Sequence, residues 1–259
     1  MTKTILVGDT HLKARLILPI VEKVISEQDC QRVIFLGDYV DWSGQENNIK
    51  LYAKDLTYLA EWKEKMLDRG IEVINLIGNH DIFYVINFQA PFSLKNKEAF
   101  LAVQDTLLAL DLQIAYKLGS YLVSHAGYNL LFDLDDWHLA PFDIENNMHF
   151  DELVRFANSV GIKRGGGEMG GSPVWADFRE IELIPNENIR LKQIVGHTPQ
   201  THININQSVI SVDTFAVDKD FNIHGNGDLL IHDDQTNEIT VIQSEWKTLE
   251  TCEALKNLI

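Results

Sequence analysis

Five short segments each place a glycine or serine and a metal-ligating side chain directly after an apolar run. They are Gly8-Asp9-Thr10-His11, Gly37-Asp38-Tyr39-Val40-Asp41, Gly78-Asn79-His80-Asp81, Ser124-His125-Ala126-Gly127 and Gly196-His197-Thr198. Together Asp9, Asp38, Asn79, His11, His125 and His197 offer three oxygen-bearing and three imidazole donors. Mixed nitrogen and oxygen donors suit manganese, iron or zinc better than the all-oxygen cage that calcium takes. A carboxylate can bridge two cations roughly 3.5–4 Å apart, and such a pair clamps a phosphoryl oxygen and makes a hydroxide from water near neutral pH. Each piece alone is weak, because a Gly-Asp after a strand is ordinarily a turn and a lone histidine a surface residue. The ordered set, with complementary donor types, points to a dinuclear hydrolytic centre.

The elements between these segments explain how they would meet. Lys3–Val7, Arg32–Leu36 and Ile71–Ile77 are short apolar runs that read as buried strands. Between them, 14–27 and 49–69 carry apolar residues at helical spacing, and Gly70 is a stop signal for the second. Strand–helix alternation implies βαβ units with parallel pairing. Ligands of an open α/β sheet sit at the carboxyl ends of its strands, so the five segments are expected to converge on one edge. Further along, 97–110, 149–160 and 247–258 read as helices. The segments 113–118, 121–124, 193–195, 209–212, 228–232 and 238–243 read as strands. No linker or repeat is visible, so residues 1–259 are expected to form a single domain.

Composition narrows the function classes. The chain has 259 residues, 45% hydrophobic and 23% charged, the balance of an ordinary globular protein. With 22 Lys and Arg against 38 Asp and Glu, the net charge is −16, which argues against binding to a nucleic-acid backbone. No apolar run is long enough to span a membrane, the amino-terminal apolar run is too short for a signal peptide, and Cys30 and Cys252 are isolated. A cytoplasmic location is expected, and oligomeric state has no signature in the chain.

The same segments resemble the calcineurin-like metallophosphoesterase superfamily, with its pattern GD-x-H, GD-x-V-D, GNH-(D/E), H-A/G-G and GH-T. Within it the chain is similar to the phosphoprotein-phosphatase branch, notably the bacterial and bacteriophage serine/threonine phosphatases. Pro173-Val174-Trp175-Ala176-Asp177, Gly196-His197-Thr198-Pro199, and Val212-Asp213-Thr214 with Gly227-Asp228-Leu229 match that branch's weaker segments. The resemblance implies a two-sheet β-sandwich flanked by helices. It implies that Asp9 and His11 bind a first metal, that Asp38 bridges, and that Asn79, His125 and His197 complete a second site. The cofactor is then two divalent ions, manganese first, with iron, zinc, nickel or magnesium as alternatives. His80 is implied to be the general acid, oriented by Asp41, and the reaction an in-line attack by a metal-bound hydroxide without a covalent intermediate. The substrate is expected to be a phosphorylated protein or a small phosphomonoester.

Two departures leave other readings open. Trp42 and Ile77 stand where arginines are usual in this branch. Guanidinium groups grip phosphate oxygens bidentately, so Arg179, after the Trp175 segment, and Arg164, in the glycine-rich loop 163–172, are the replacement candidates. Asp81 after Asn79-His80 is similar to the diadenosine tetraphosphate hydrolases, which makes a nucleotide or diadenosine-polyphosphate hydrolase the alternative enzyme. A catalytically weak, metal-bound module that binds phospho-ligands is the alternative outside catalysis. Pro199, where phosphodiesterases place a second histidine, argues against that class; His202 lies too far along to substitute by spacing. The acidic stretch 133–136 reads as a solvated helix start, the glycine-rich loop lacks the Lys of a P-loop, and Asp213 reads as a support to the ligands. Trp42, Tyr39, Phe83 and Tyr84 read as packing around the site.

Overall fold

The computed structural model describes residues 2–142 and 149–259. Among the described residues eleven strands form two sheets. The first sheet has the order β11-β10-β1-β2-β3-β4, from Ile239–Ile242 (β11), Leu229–Asp233 (β10), Lys3–Val7 (β1), Arg32–Phe35 (β2), Glu72–Leu76 (β3) and Leu112–Gln113 (β4). Strands β1 to β4 are parallel, and β10 closes antiparallel on β1. The second sheet has the order β5-β6-β7-β9-β8, from Ala115–Leu118 (β5), Tyr121–Ser124 (β6), Lys192–Val195 (β7), Val209–Ser211 (β9) and Asn204–Ile205 (β8). Here β6, β7 and β9 run parallel.

Side-chain alternation divides the core. In β1, Ile5 and Val7 point to the helices while Leu6 points to the other sheet; Val33 and Phe35 against Ile34 and Leu36 do the same around β2. Leu6, Ile34, Leu76, Val123, Ile194, Ile210 and Leu230 thus fill the space between the sheets. The outer face of the first sheet carries helices α1 (Ala14–Gln28), α2 (Ile49–Asp68), α3 (Asp81–Val85), α4 (Lys97–Leu108) and, against α1, α7 (Leu249–Leu258). Helix α5 (Phe150–Asn158) packs near α3, and α6 (Phe178–Leu183) packs Ile181 and Phe178 on Val195 and Val209 of the second sheet. Asn48, Asn96 and Thr248 cap α2, α4 and α7 by accepting backbone N–H groups. The fold is therefore a two-sheet β-sandwich flanked by helices. Among the described residues no helix is long and apolar enough to cross a membrane.

Several elements differ from the sequence expectation. The single strand expected over 113–118 is two: β4 pairs with β3, Ile114 turns to donate its amide to His138 O, and β5 starts in the other sheet. Periodicity could not show this, since a chain crossing between sheets stays buried throughout. Helices α3, α6 and strand β8 are too short to carry a period and were not expected. The five segments do not converge on one edge of one sheet. They occupy one rim of the sandwich, after β1, β2 and β3 of the first sheet and after β6 and β7 of the second.

Candidate metal centre

At that rim Asp9, Asp38, Asn79, His125 and His197 are all buried, with His11 partly open to solvent. His11 Nε2 lies 3.9 Å from Asp9 Oδ2 and 3.5 Å from Asp38 Oδ2. His125 Nε2 lies 3.5 Å from the same Asp38 oxygen, 3.1 Å from Asn79 Oδ1 and 3.1 Å from His197 Nδ1. Asp38 is thus shared between two groups of donor atoms, one with His11 and His80 and one with His125 and His197.

The tautomers point lone pairs inward. His11 Nδ1 donates to Val40 O at 3.0 Å and Asp41 O at 2.8 Å, and His125 Nδ1 donates to Leu36 O at 2.7 Å. Each ring therefore keeps its proton on the outer nitrogen and presents a bare Nε2 to the carboxylates. Burial, first of all, holds His125 down to about 3 and lowers His11 and His197. Burial also raises the carboxyls of Asp9 and Asp38, and the carboxylates facing them, Asp213 and Asp9 respectively, raise them further. Neutral imidazoles facing carboxylates that repel one another form a donor set that divalent cations fit.

Local backbone geometry makes this convergence possible. His11, Leu12, Asp38, Asp41 and His197 all lie in the left-handed region, with φ of 42°, 58°, 54°, 57° and 62°. The loops after β2 and β3 touch so closely that a Cβ on Gly78 would overlap the Asp38 carboxylate. Asp81 locks those loops together. Its Oδ2 accepts the amides of Asp38 (2.7 Å) and Gly78 (2.9 Å), and its Oδ1 that of Tyr39 (2.9 Å). Burial still lifts this carboxyl to about 6. Asp38 in turn accepts the His80 amide at 2.8 Å, and Asp9 that of His197 at 3.1 Å.

Beside the cluster stands His80, its Nδ1 3.0 Å from Asp41 Oδ2 and its ring 5.1 Å from that of His11. Arg164 Nη2 donates to His197 O at 3.2 Å, which brings its guanidinium to the rim. Arg179 is engaged elsewhere: it grips Asp177 with Nε and Nη2, both at 2.6 Å, and its side chain is 52% exposed. Trp175 meets His197 edge-on at 5.7 Å and donates its indole N–H to Ala157 O. Trp42 is buried; it donates to Asp218 O at 3.3 Å and has Lys13 Nζ 5.4 Å from its ring. Asp213 is buried close behind Asp9, lifted by burial to about 7. His202 is 70% exposed and faces Asp228, away from the cluster.

The chain has known relatives. A family profile described as calcineurin-like phosphoesterase matches residues 2–201. The chain belongs to that family. A member of it is a metal-dependent hydrolase of phosphoric esters, and the buried donor set is where its divalent ions fit. No curated protein sequence matches the chain. Among solved structures it is similar to a cold-active protein-tyrosine phosphatase of a Shewanella species, with 13% identity and a TM-score of 0.56 over 95% of this chain and 78% of that one. It is also similar to a protein serine/threonine phosphatase from Saccharomyces cerevisiae, with 17% identity and a TM-score of 0.51 over 94% and 80%. At these identities the likeness concerns the fold.

Sequence reasoning gave no role to Asp81, Lys13 or Tyr52, and read Tyr84 as packing. Asp81 sits in a motif but as its variable last residue, and Tyr52 is one aromatic on the apolar face of a long helix. A further acidic cluster, Asp135, His138 and Glu152, lies apart from the rim. Asp135 caps the 3₁₀ turn Asp136–Leu139, and its amide donates to His138 Nδ1 at 3.1 Å. The His138 proton then sits on Nε2, 3.8 Å from Glu152 Oε1, so this nitrogen is a donor and not a metal ligand.

Proposed function

We propose that the chain hydrolyses phosphomonoesters, serine/threonine phosphoprotein-like substrates first, as a single domain acting in the cytoplasm. Asp9 and His11 would hold one ion, Asp38 would bridge, and Asn79, His125 and His197 would hold the second, with manganese the expected metal. Bound there, the ions supply Lewis-acid polarisation of phosphoryl oxygens and a lowered pKa for water. The observation that carries the reading is the His80–Asp41 pair beside the donor cluster, since a binding module has no chemical use for an oriented imidazole.

In this reading Asp41 holds the proton on His80 Nδ1, and the imidazolium form of His80 gives its Nε2 proton to the leaving-group oxygen, returning to the neutral Nδ1–H ring. Arg164 and Arg179 are the proposed phosphate grips. Arg164 already stands at the rim, whereas Arg179 must leave Asp177 to reach it. One observation favours the alternative nucleotide or diadenosine-polyphosphate substrate. Phe92 lies 4.5 Å from the His80 ring, and beyond Phe83 the ring of Phe88 is exposed, an aromatic row beside the leaving-group position.

Steady-state hydrolysis of a phosphomonoester, its matched diester and diadenosine tetraphosphate, in manganese and in chelator, tests the proposal. Chelator-sensitive monoester turnover well above diester turnover is expected. Preference for the dinucleotide selects the alternative. Absence of turnover on all of them, with metal bound, refutes the phosphomonoesterase proposal and its dinucleotide alternative in favour of a narrow-specificity enzyme or the binding module.

A further inference from the structure

Asp41 is buried and carries more than one hydrogen bond. Its Oδ2 faces His80 Nδ1 at 3.0 Å, while its Oδ1 accepts two phenol hydroxyls, from Tyr52 at 2.7 Å and from Tyr84 at 2.6 Å. Tyr52 comes from α2 and Tyr84 from α3, so two helices meet on one carboxylate oxygen. The Tyr84 oxygen also accepts the Leu94 amide at 2.8 Å, which leaves its own proton for Asp41. Its ring is stacked on Phe100 of α4, with centroids 4.3 Å apart and planes 18° from parallel. Burial, reinforced by the Asp41 charge, raises both phenols, so they remain donors.

We propose that Tyr52 and Tyr84 are positioning residues for the proton-donating His80, acting through Asp41. The proposal rests on the reading of His80 as general acid. The two hydroxyls occupy the lone pairs of Oδ1 and so fix the rotation of the carboxylate. Only Oδ2 is left for the imidazole, which sets its proton on Nδ1 and aims Nε2 outward. The Asp41 backbone contributes in parallel, since its carbonyl accepts His11 Nδ1 at 2.8 Å. One residue therefore orients a candidate ligand through its main chain and the candidate acid through its side chain. Holding the carboxylate matters more than usual here, because Asp41 sits at φ 57°, where the backbone alone does not favour it.

The test is Tyr52→Phe, Tyr84→Phe and the double variant, assayed on phenyl phosphate and on 2,4-dinitrophenyl phosphate, with His80→Ala beside them. A poor leaving group needs the proton and an activated one does not. The double variant is expected to lose about 10–100-fold in kcat on phenyl phosphate. That loss should exceed its loss on the dinitrophenyl ester at least about fivefold, as in His80→Ala, with KM little changed. Equal losses on both esters, or none, overturn the proposal while leaving His80 in place. If His80→Ala itself shows no leaving-group dependence, the general-acid reading falls separately. A second readout needs no turnover: in the neutral ring of His80, the form left after the Nε2 proton is given up, the ¹⁵N spectrum should show the Nδ1–H tautomer in the parent protein and a mixture in the double variant. An unchanged tautomer overturns the positioning role. If the double variant does not fold, each single variant, which removes one of the two bonds to Oδ1, is expected to show a smaller loss that is still larger on phenyl phosphate than on the dinitrophenyl ester, and equal losses on both esters in both single variants overturn the proposal.

Discussion

Asp81 offers the most demanding test of how this site is built. Its carboxylate accepts the amides of Asp38 and Gly78 on one oxygen and that of Tyr39 on the other, all within 2.9 Å and all buried. In Asp81→Asn the side chain keeps its shape but has one acceptor oxygen. The amide is expected to keep that oxygen toward Asp38 and Gly78, which turns its NH₂ against the Tyr39 N–H. One buried donor is then orphaned and two charge-assisted bonds become neutral ones. An orphaned buried amide costs about 1–3 kcal/mol and each weakened bond about 0.5–1 kcal/mol, so the variant should lose about 2–5 kcal/mol. Asp81→Ala orphans these three amides and also breaks the longer bond from the Val40 amide (3.4 Å), and should lose more. Urea unfolding of the chelated proteins at about pH 8, where Asp81 is ionised, measures this as a shift in midpoint at constant slope. Because those amides belong to the two loops that carry Asp38 and Asn79, metal affinity or kcat should also fall about 10–100-fold. An Asn variant within about 0.5 kcal/mol of the parent would refute the reasoning, since a single acceptor oxygen cannot satisfy every amide.

Other consequences are as direct. Divalent metal at about 100 times its dissociation constant should stabilise the protein by about 2.7 kcal/mol, and a melting temperature within a degree of the chelated form would contradict the assigned ligands. In the chelated protein the raised carboxyls of Asp9, Asp38, Asp81 and Asp213 each contribute a stability that falls as pH rises from about 4 to about 7, while the lowered imidazoles of His11, His125 and His197 contribute one that rises up to about pH 6.5. Unfolding free energies at a series of pH values should therefore fall less steeply, or rise more steeply, in Asp213→Asn than in the parent; an unchanged slope would contradict the raised Asp213 carboxyl. Arg164→Ala should raise KM for a phosphomonoester more than Arg179→Ala does, because Arg179 is held by Asp177 while Arg164 faces the rim. Equal effects on KM would show that Arg179 swings in.

What the sequence made legible follows from what each signal measures. A strand ending in glycine plus a ligand is a local pattern, so Asp9, Asp38, Asn79, His125 and His197 could be named before their loops were known to meet. The parallel order of β1, β2 and β3 came from strand–helix alternation in the same way. What stayed hidden was long-range or very short. The hydroxyls of Tyr52 and Tyr84 on Asp41 depend on where two helices dock, and a tyrosine on an apolar helix face looks like core whether or not its oxygen has work. The break at Ile114 that sends β5 into the second sheet leaves no trace in hydropathy, because both sides of the break are buried. Arg164 and Arg179 looked alike as residues of loops, and only the neighbouring Asp177 sets them apart.

The left-handed backbone at His11, Leu12, Asp38, Asp41 and His197 has a bearing on how such a chain can change over time. Each such residue costs roughly 1 kcal/mol relative to glycine, so the set costs a sizeable part of the 5–15 kcal/mol that separates a folded domain from its unfolded chain. His197→Gly should accordingly be more stable than His197→Ala by about 1 kcal/mol, although both remove the imidazole. The rim is thus a reservoir of stability held back by chemistry. A descendant released from catalysis would move toward glycine and asparagine at these positions and become sturdier as it lost function. A descendant under selection for turnover must instead find its stability elsewhere, in the apolar layer between the sheets and in the helix caps.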